Sequence, residues 1–321
     1  MRIGRGVCAA VLAGCLGLAP SANAQQFVRI ATAGSGGNYY ILGAGLSAIL
    51  NNEIGTQASI QATGGTVENL DLLADEEVEL AYLSGGAGAQ AYGNDGQFAE
   101  RPEGRYKNLR AIATVYPNLE WFIAIDPSIE SLRDLKGKRV AVGTQGSAGE
   151  AWWRQIMTHL GWTYDDIVPE YTTHQSTIDQ IRNRQVDAVV WPDAPGSATI
   201  QEIVTTGLGV VKNIDDDVIK YMDDQGLDFA YTIPAEGVPG GDQPIKTFAS
   251  PITLATHEDV PEELIYQITK TMFEQKEALI KAHPLAEYMA VEDALSGLPF
   301  PVHPGAKRYY EEQGMTIPSV Q

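Results

Sequence analysis

Residues 31–50 read ATAGSGGNYYILGAGLSAIL and contain the turn around which the rest of the chain is organised. The apolar residues of 27–31 predict a short strand before the turn, and Leu42, Leu46 and Leu50 recur at helical spacing after it. The glycines at 34, 36 and 37 therefore lie between a strand and a helix. Glycine allows close backbone approach, so the first amide groups of the helix point at whatever occupies the turn.

An anion, above all a carboxylate, fits this turn. Gly36 and Gly37 would offer amide groups, and Asn38, Tyr39 and Tyr40 add side-chain donors and aromatic walls. A simpler alternative stays open, because glycine-rich turns often serve only as tight connections. The dinucleotide pattern G-x-G-x-x-G is not met, since its third glycine falls on Tyr39, and no Walker A lysine follows.

The N-terminus predicts a cleaved secretory signal peptide at 1–24. Arg2 and Arg5 precede an apolar run, and Ala22-Asn23-Ala24 is a small-residue cleavage site. Export to the periplasm is the expectation. A second possibility is a lipoprotein, because residues 12–15 (LAGC) resemble a lipobox that would make Cys15 the lipidated residue.

Composition restricts the function classes. Lys and Arg number 22 against 41 Asp and Glu, a formal net charge of −19 that becomes −21 once Arg2 and Arg5 leave with the signal peptide. Such a chain repels nucleic acid and anionic lipid, so an anionic ligand needs local donors. Both cysteines, Cys8 and Cys15, lie in the signal peptide, which predicts a mature protein without disulfides.

Two further strand ends in the first third of the chain carry glycines. Thr66 follows Gly64-Gly65 and either caps a helix or points it at the same ligand, and Ser84 is followed by Gly85-Gly86. Because ligands of open α/β sheets bind outside the carboxyl ends of strands, these turns are expected to meet. Residues 143–146 form another turn, with Ser147 as the N-cap of the next helix.

The remaining pattern alternates strands and helices. It predicts a surface loop at 94–108, two strands at 110–116 and 121–125, a strand at 186–190 that ends at Trp191, and one long helix near 261–283. Trp191 either covers a ligand or is an ordinary half-buried tryptophan. Two α/β domains explain the alternation best: lobe I from 25–119 and 246–321, and lobe II from 120–245, so that two chain crossings form a hinge.

Four stretches resemble the TAXI family of extracytoplasmic solute receptors, the binding proteins of TRAP transporters. They are AGSGGNYYILGAGL (33–46), ATGGTVENLDLLADEEVELAYL (62–83), SLRDLKGKRVAVGTQGSAGE (131–150) and FPVHPGAKRYYEEQG (300–314). The resemblance implies an α/β, two-lobed fold like that of type II periplasmic binding proteins, with two crossing strands. It also implies a glutamate, 2-oxoglutarate or dicarboxylate ligand and a membrane-embedded TRAP permease as partner.

The same resemblance implies a set of ligand-binding residues from both lobes: Gly36, Gly37, Asn38, Tyr39, Tyr40, Thr66, Ser84, Tyr116, Thr144, Gln145, Gly146, Ser147 and Trp191. Two stretches depart from the family pattern. Leu83-Ser84-Gly85 stands where relatives often have Gln-Ser-Asp, and 115–118 (VYPN) stands where many have Leu-Tyr-Pro-Glu. The loss of two carboxylates favours a more anionic or less aminated ligand.

The sequence therefore favours a monomeric binding protein that needs no cofactor, metal or nucleic acid. A sensor module for a receptor kinase would share the fold and the site. A periplasmic enzyme is the third class, but none of the histidines at 159, 174, 257, 283 and 303 has metal-ligand spacing or belongs to a catalytic motif. Each is expected to be a surface or a hydrogen-bonded histidine.

Overall fold

The computed structural model describes residues 26–35, 37–145, 147–225 and 228–318. Within them the chain forms one ten-stranded mixed sheet with helices packed on both faces. The strands are β1 Phe27–Ala31, β2 Gln57–Gln61, β3 Leu80–Ser84, β4 Leu109–Ala124, β5 Arg139–Ala141, β6 Val168–Glu170, β7 Ala188–Asp193, β8 Val210–Lys212, β9 Phe229–Ile233 and β10 Ile245–His257. The predicted signal peptide and its cysteines lie outside the described residues.

The helices follow most strands, as the alternation predicts. They are α1 Asn38–Glu53, α2 Thr66–Ala74, α3 Gly85–Gly93, α4 Ala148–Leu160, α5 His174–Arg182, α6 Ala198–Thr205, α7 Asp216–Asp224, α8 Glu262–Glu274, α9 Lys276–Ala282 and α10 Pro304–Glu312. The sequence did not predict β6, β8, β9, α3, α6 or α10, most of which are short and have no long apolar period.

Two long strands, β4 and β10, lie side by side in the middle of the sheet. The strand order is β2-β1-β3-β10-β4-β7-β5-β6, with β8 beside β4 and β9 beside β10. The first part of β4 pairs with the last part of β10, whereas residues 119–124 of β4 pair with β7. The fold class predicted from the sequence, α/β of periplasmic-binding-protein type with two crossing strands, is confirmed by this topology.

The prediction of two separate strands around Pro117 was wrong, because β4 is continuous. Pro117 lies opposite Pro251 of β10. Neither proline has an N–H group, so this pair leaves no ladder donor unpaired and the strand passes through it.

Two other expectations are corrected. The helix predicted near 261–283 is divided at Gln275, whose φ of −103° and ψ of 23° leave helical geometry, and the chain continues as α9. Residues 94–108 are not simply a surface loop. They contain a short 3₁₀ helix, and Phe98 and Tyr106 are buried edge to face, 5.4 Å apart.

The buried side chains form three clusters. The first cluster takes nearly all of its residues from 28–116 and 252–310, which form the first core region. The other two clusters take theirs from 119–249, the second core region. Within residues 119–249, neighbouring residues of one strand belong to different clusters. Phe122 and Val190 belong to the second cluster, whereas Ile123 and Val189 belong to the third. This period of two shows that the sheet is covered on both faces there.

Helices α8 and α10 pack closely through Gly305. A Cβ atom at Gly305 would lie 2.2 Å from the Glu262 carbonyl oxygen and 2.6 Å from the Tyr266 nitrogen. Gly305→Ala should therefore lower the free energy of unfolding by about 1–3 kcal/mol, because backbone atoms must move to accept the methyl group. Urea unfolding measures this change.

The matched control is Gly93→Ala at the end of α3, where the nearest atom to an added Cβ is 4.0 Å away. We expect this variant to unfold close to the wild type. Equal stabilities of the two variants would contradict the close packing of α8 on α10.

Candidate functional site

The first three helices begin at one edge of the sheet. β1 pairs in parallel with both β2 and β3, so that their carboxyl ends meet, and α1, α2 and α3 start there. Residues at the carboxyl edge of a parallel sheet are well placed to bind ligands. The first amide groups of a helix have no partner within the helix, and its N-terminus carries partial positive charge.

A buried asparagine ties the first turn of α2 to the sheet. Asn69 of α2 is fully buried, and its amide nitrogen donates to the carbonyl oxygens of Thr32, directly after β1 (2.6 Å), and Tyr82, within β3 (2.7 Å). Its side-chain oxygen accepts from the hydroxyl of Thr63 at 2.7 Å. No sequence pattern pointed to this residue, since its partners Thr32 and Tyr82 are distant along the chain.

A cavity of about 430 Å³, here called the cleft cavity, lies against these helix starts and the start of α4. Both core regions contribute to its wall. The described residues that line it are Tyr39, Gly64, Gly65, Thr66, Val67, Ser84, Gly86, Ala87, Gln90 and Gln97 from the first region, and Ser147, Ala151, Trp152 and Gln155 from the second.

Hydrogen bonds connect Tyr39, Thr66 and Ser84. The Thr66 hydroxyl accepts a hydrogen bond from the Ser84 backbone amide at 3.1 Å and is also bonded to Tyr39. The Tyr39 ring stacks on Tyr82 with 5.8 Å between centroids. Burial raises the pKa of Tyr39 to about 12, and the bond to Thr66 offsets this only in part. The hydroxyl is therefore neutral at pH 7 and can donate a hydrogen bond.

Ser147 forms the opposite wall. As predicted, it is the N-cap of α4, where its hydroxyl accepts from the Glu150 backbone amide at 3.3 Å. Gly149 allows the helix to approach β7, since a Cβ atom there would lie 2.9 Å from Cδ of Pro192.

The cleft cavity is polar but uncharged. None of the described residues in its wall is acidic or basic. Hydroxyl groups, three glutamine amides and helix N-termini supply the hydrogen bonds, a set that can bind a small polar or anionic solute without a counter-ion.

A family model for the NMT1-like family matches residues 30–314. The chain belongs to the NMT1-like family. The match spans both core regions and all of the helix starts described above.

Three solved structures similar to this NMT1-like protein share 12–16% identity with it. The periplasmic aliphatic sulphonate binding protein SsuA from Escherichia coli is 16% identical, with a TM-score of 0.48, over 89% of this chain and 78% of that one. The GluR0 ligand-binding core, in complex with L-glutamate, is 12% identical with a TM-score of 0.49, over 84% of this chain and 100% of that one. An ancestral arginine-binding protein is 15% identical, with a TM-score of 0.47, over 83% and 99%.

The other predicted site residues lie in several places. Gly37 and Asn38 line a second cavity of about 720 Å³, the side cavity, together with residues 193–199 and 283–288. Asn38 is hydrogen-bonded to Tyr116, which lines a third cavity described below. Tyr40 is half-buried, and Thr144 and Gln145 are exposed next to Ser147. Gly36 and Gly146 lie outside the described residues.

Two predictions about individual residues were wrong. Thr66 is the first residue of α2 rather than its N-cap; Gly65, with φ of 106°, occupies the cap position. Trp191 does not end its strand, because β7 continues to Asp193, and the side chain is fully buried opposite Trp121. Burial within the core keeps Trp191 from the three cavities described here.

His303 and His159 form contacts that hold parts of the fold together. His303 is buried as the N-cap of α10: Nδ1 accepts from the Gly305 amide at 3.1 Å, so Nε2 donates to the Val260 carbonyl at 3.0 Å. Burial lowers the pKa of His303 to about 4. His159 contacts the Asp217 carboxylate at 2.9 Å near the surface.

The fold also brings ligand atoms of Glu76, His257 and Asp259 within 4.8 Å of one another, which sequence spacing did not indicate. Glu76 and Asp259 are exposed, and exposed acidic groups often lie this close without a metal ion. Separately, no helix among the described residues is long and apolar enough to cross a membrane.

Asn69→Leu should lower the free energy of unfolding by at least about 2 kcal/mol, because it leaves the buried carbonyls of Thr32 and Tyr82 without donors. Chemical denaturation measures the change. Asn52→Leu, at an exposed position of α1, is the matched control and should have little effect. A wild-type stability for Asn69→Leu would show that this amide does not hold the helix starts in place.

Proposed function

We propose that this NMT1-like protein is an extracytoplasmic solute-binding protein of the TAXI type that captures a small organic anion and delivers it to a TRAP permease in the membrane. The observation that carries the proposal is the cleft cavity, in which helix starts from both core regions face one solute-sized space. The four sequence stretches similar to TAXI receptors support the assignment of the transporter class. The predicted signal peptide supports export to the periplasm.

The binding mechanism we propose is closure of two lobes. Residues 25–119 with 246–321 would form lobe I, and residues 120–245 lobe II, in agreement with the separation of the core clusters. The crossing strands β4 and β10 would be the hinge. A solute that contacts Thr66 in one lobe and Ser147 in the other gains both sets of bonds only when the lobes are close, so binding shifts the population toward the closed form.

The hydrogen-bond donors around the cleft cavity indicate the class of ligand. A carboxylate would accept from the first amides of α2, α3 or α4 and from the hydroxyls of Tyr39 and Ser147. Helix N-termini favour anions, whereas the described residues of the wall offer no carboxylate to pair with an ammonium group. A dicarboxylate or 2-oxoacid such as 2-oxoglutarate therefore suits the cavity better than an amino acid such as glutamate.

The ligand class can be tested by thermal unfolding of protein that has been unfolded and refolded to remove carried-over solute. A panel of dicarboxylates, 2-oxoacids, hydroxyacids and amino acids is added at equal ionic strength. A binder at about a hundred times its dissociation constant should stabilise the protein by about 2.7 kcal/mol. That gain should raise the midpoint by several degrees in a chain of this size. A response confined to amines or sugars would contradict the anion proposal.

Tyr39→Phe and Ser147→Ala test the position of the site. Tyr39→Phe keeps the stacking on Tyr82 but removes a donor, and each variant should raise the dissociation constant of the best anion by about tenfold, equal to ~1.4 kcal/mol. Calorimetry gives the constants, and thermal unfolding shows whether folding is kept.

Tyr221→Phe, at a ring that stacks on His159 away from the cavity, is the matched control. It should bind as the wild type does. Wild-type affinity in both Tyr39→Phe and Ser147→Ala would exclude the cleft cavity as the anion site.

A further inference from the structure

A third cavity, of about 480 Å³, lies where β4 and β10 pair through Pro117 and Pro251, and it is called here the crossing cavity. Its wall combines residues 114–117 of β4, the start of β9 and the segment 288–297. It shares no described lining residue with the cleft cavity. The proposed transport function does not use it.

One wall residue of the crossing cavity is an unpaired acid. Asp228 is 5% exposed, and among the described residues no group lies in good hydrogen-bonding geometry to either of its carboxyl oxygens. The nearby Ser250 hydroxyl favours the ionised form, but burial disfavours it more strongly, so the pKa of Asp228 is raised. A buried polar group without a partner costs free energy, so a carboxyl group in this position calls for a donor or a positive charge.

The rest of the wall is aromatic and acidic. Four rings line the cavity, those of Tyr116, Phe229, Tyr231 and Tyr288. Asp293 adds a second carboxyl group close enough to raise the pKa of Tyr231, after the larger effect of burial. The described residues of the wall include no lysine, arginine or histidine.

We propose that the crossing cavity binds a small organic ammonium ion, with Asp228 as its counter-ion and the aromatic rings as its walls. Aromatic faces attract cations, most strongly where water is excluded. Among the described residues of the wall, an anion would meet two carboxyl groups and no basic side chain. A hard metal ion would need more oxygen ligands than the wall brings together, and a neutral apolar ligand would leave Asp228 unpaired.

The binding site is tested with choline as the probe and 3,3-dimethylbutan-1-ol as its neutral isostere, in calorimetry of the purified protein at constant ionic strength. Choline should bind and the isostere should bind at least about tenfold more weakly, because only the charge differs. Equal binding of the two compounds, or no choline binding, overturns the proposal.

Asp228→Asn removes the counter-ion while keeping the shape of the side chain. It should weaken choline binding by at least about tenfold and leave the fold intact, since a neutral amide is no harder to bury than an unpaired carboxyl. Asp223→Asn, an exposed acid of α7, makes the same change in net charge and should bind choline normally.

Tyr288→Leu provides a second test of the site if Asp228→Asn fails to fold. The Tyr288 ring is 40% exposed at the edge of the cavity, so its loss should be tolerated, and choline binding should fall by several-fold. Unchanged choline binding in a folded Asp228→Asn variant, or in Tyr288→Leu, overturns the placement of the ion in this cavity.

The pH dependence provides an independent check. Burial raises the pKa of Asp228 to about 8, and the groups around it are Glu120 of β4, Ser250 of β10, Asp293, and the tyrosines of the wall. The cation needs ionised Asp228, so below pH 8 the choline affinity should fall by up to about tenfold per pH unit. Asp228→Asn should lose this dependence, and a flat wild-type profile from pH 6 to pH 9 would contradict the role of Asp228.

Discussion

The pairing of β4 with β10 is the interaction on which the rest of the structure depends. These two strands are the longest in the described chain, and every other strand joins the sheet through them, directly or through a neighbour. Their register places Leu109 opposite His257 at one end and Leu119 opposite Ala249 at the other. Because the first cluster packs on one part of this ladder and the other two clusters on the continuation of the same strands, a shift in register would misalign all three.

The proline pair in the middle of this ladder has two consequences. It interrupts hydrogen bonding between the strands without leaving a donor unpaired, and irregular register follows directly after it, between Ile252 and Thr253. Fewer ladder bonds at this point make it a natural place for bending. The crossing cavity opens beside the same pair, so an occupant there would contact the segment about which the proposed lobes move.

The acidic surface and the cleft cavity have opposite effects on an anion. The surface of this strongly acidic chain repels anions at long range, whereas the cleft cavity offers helix N-termini and neutral donors at short range. Near the strand crossing, Glu120 and Asp228 are buried, and burial raises the pKa of each, strongly for Glu120. A protonated carboxyl group costs far less to bury than a carboxylate, which lets the fold keep two acids in this place.

Local sequence determined the elements that depend on local chemistry. The helix that begins at Asn38 after the glycines and the N-cap at Ser147 follow from short-range patterns, and the structure has both of them. Only the tertiary structure decided which distant residues meet: that β4 passes through Pro117 because Pro251 lies opposite, that Asn69 bridges Thr32 and Tyr82, and that Asp228 lines one cavity with the rings of 116, 231 and 288. The reason is physical. Turn geometry and helix capping are set by neighbours along the chain, whereas burial, and with it the pairing of polar groups and the ionisation of acids, is set by residues that approach only when the sheet is complete.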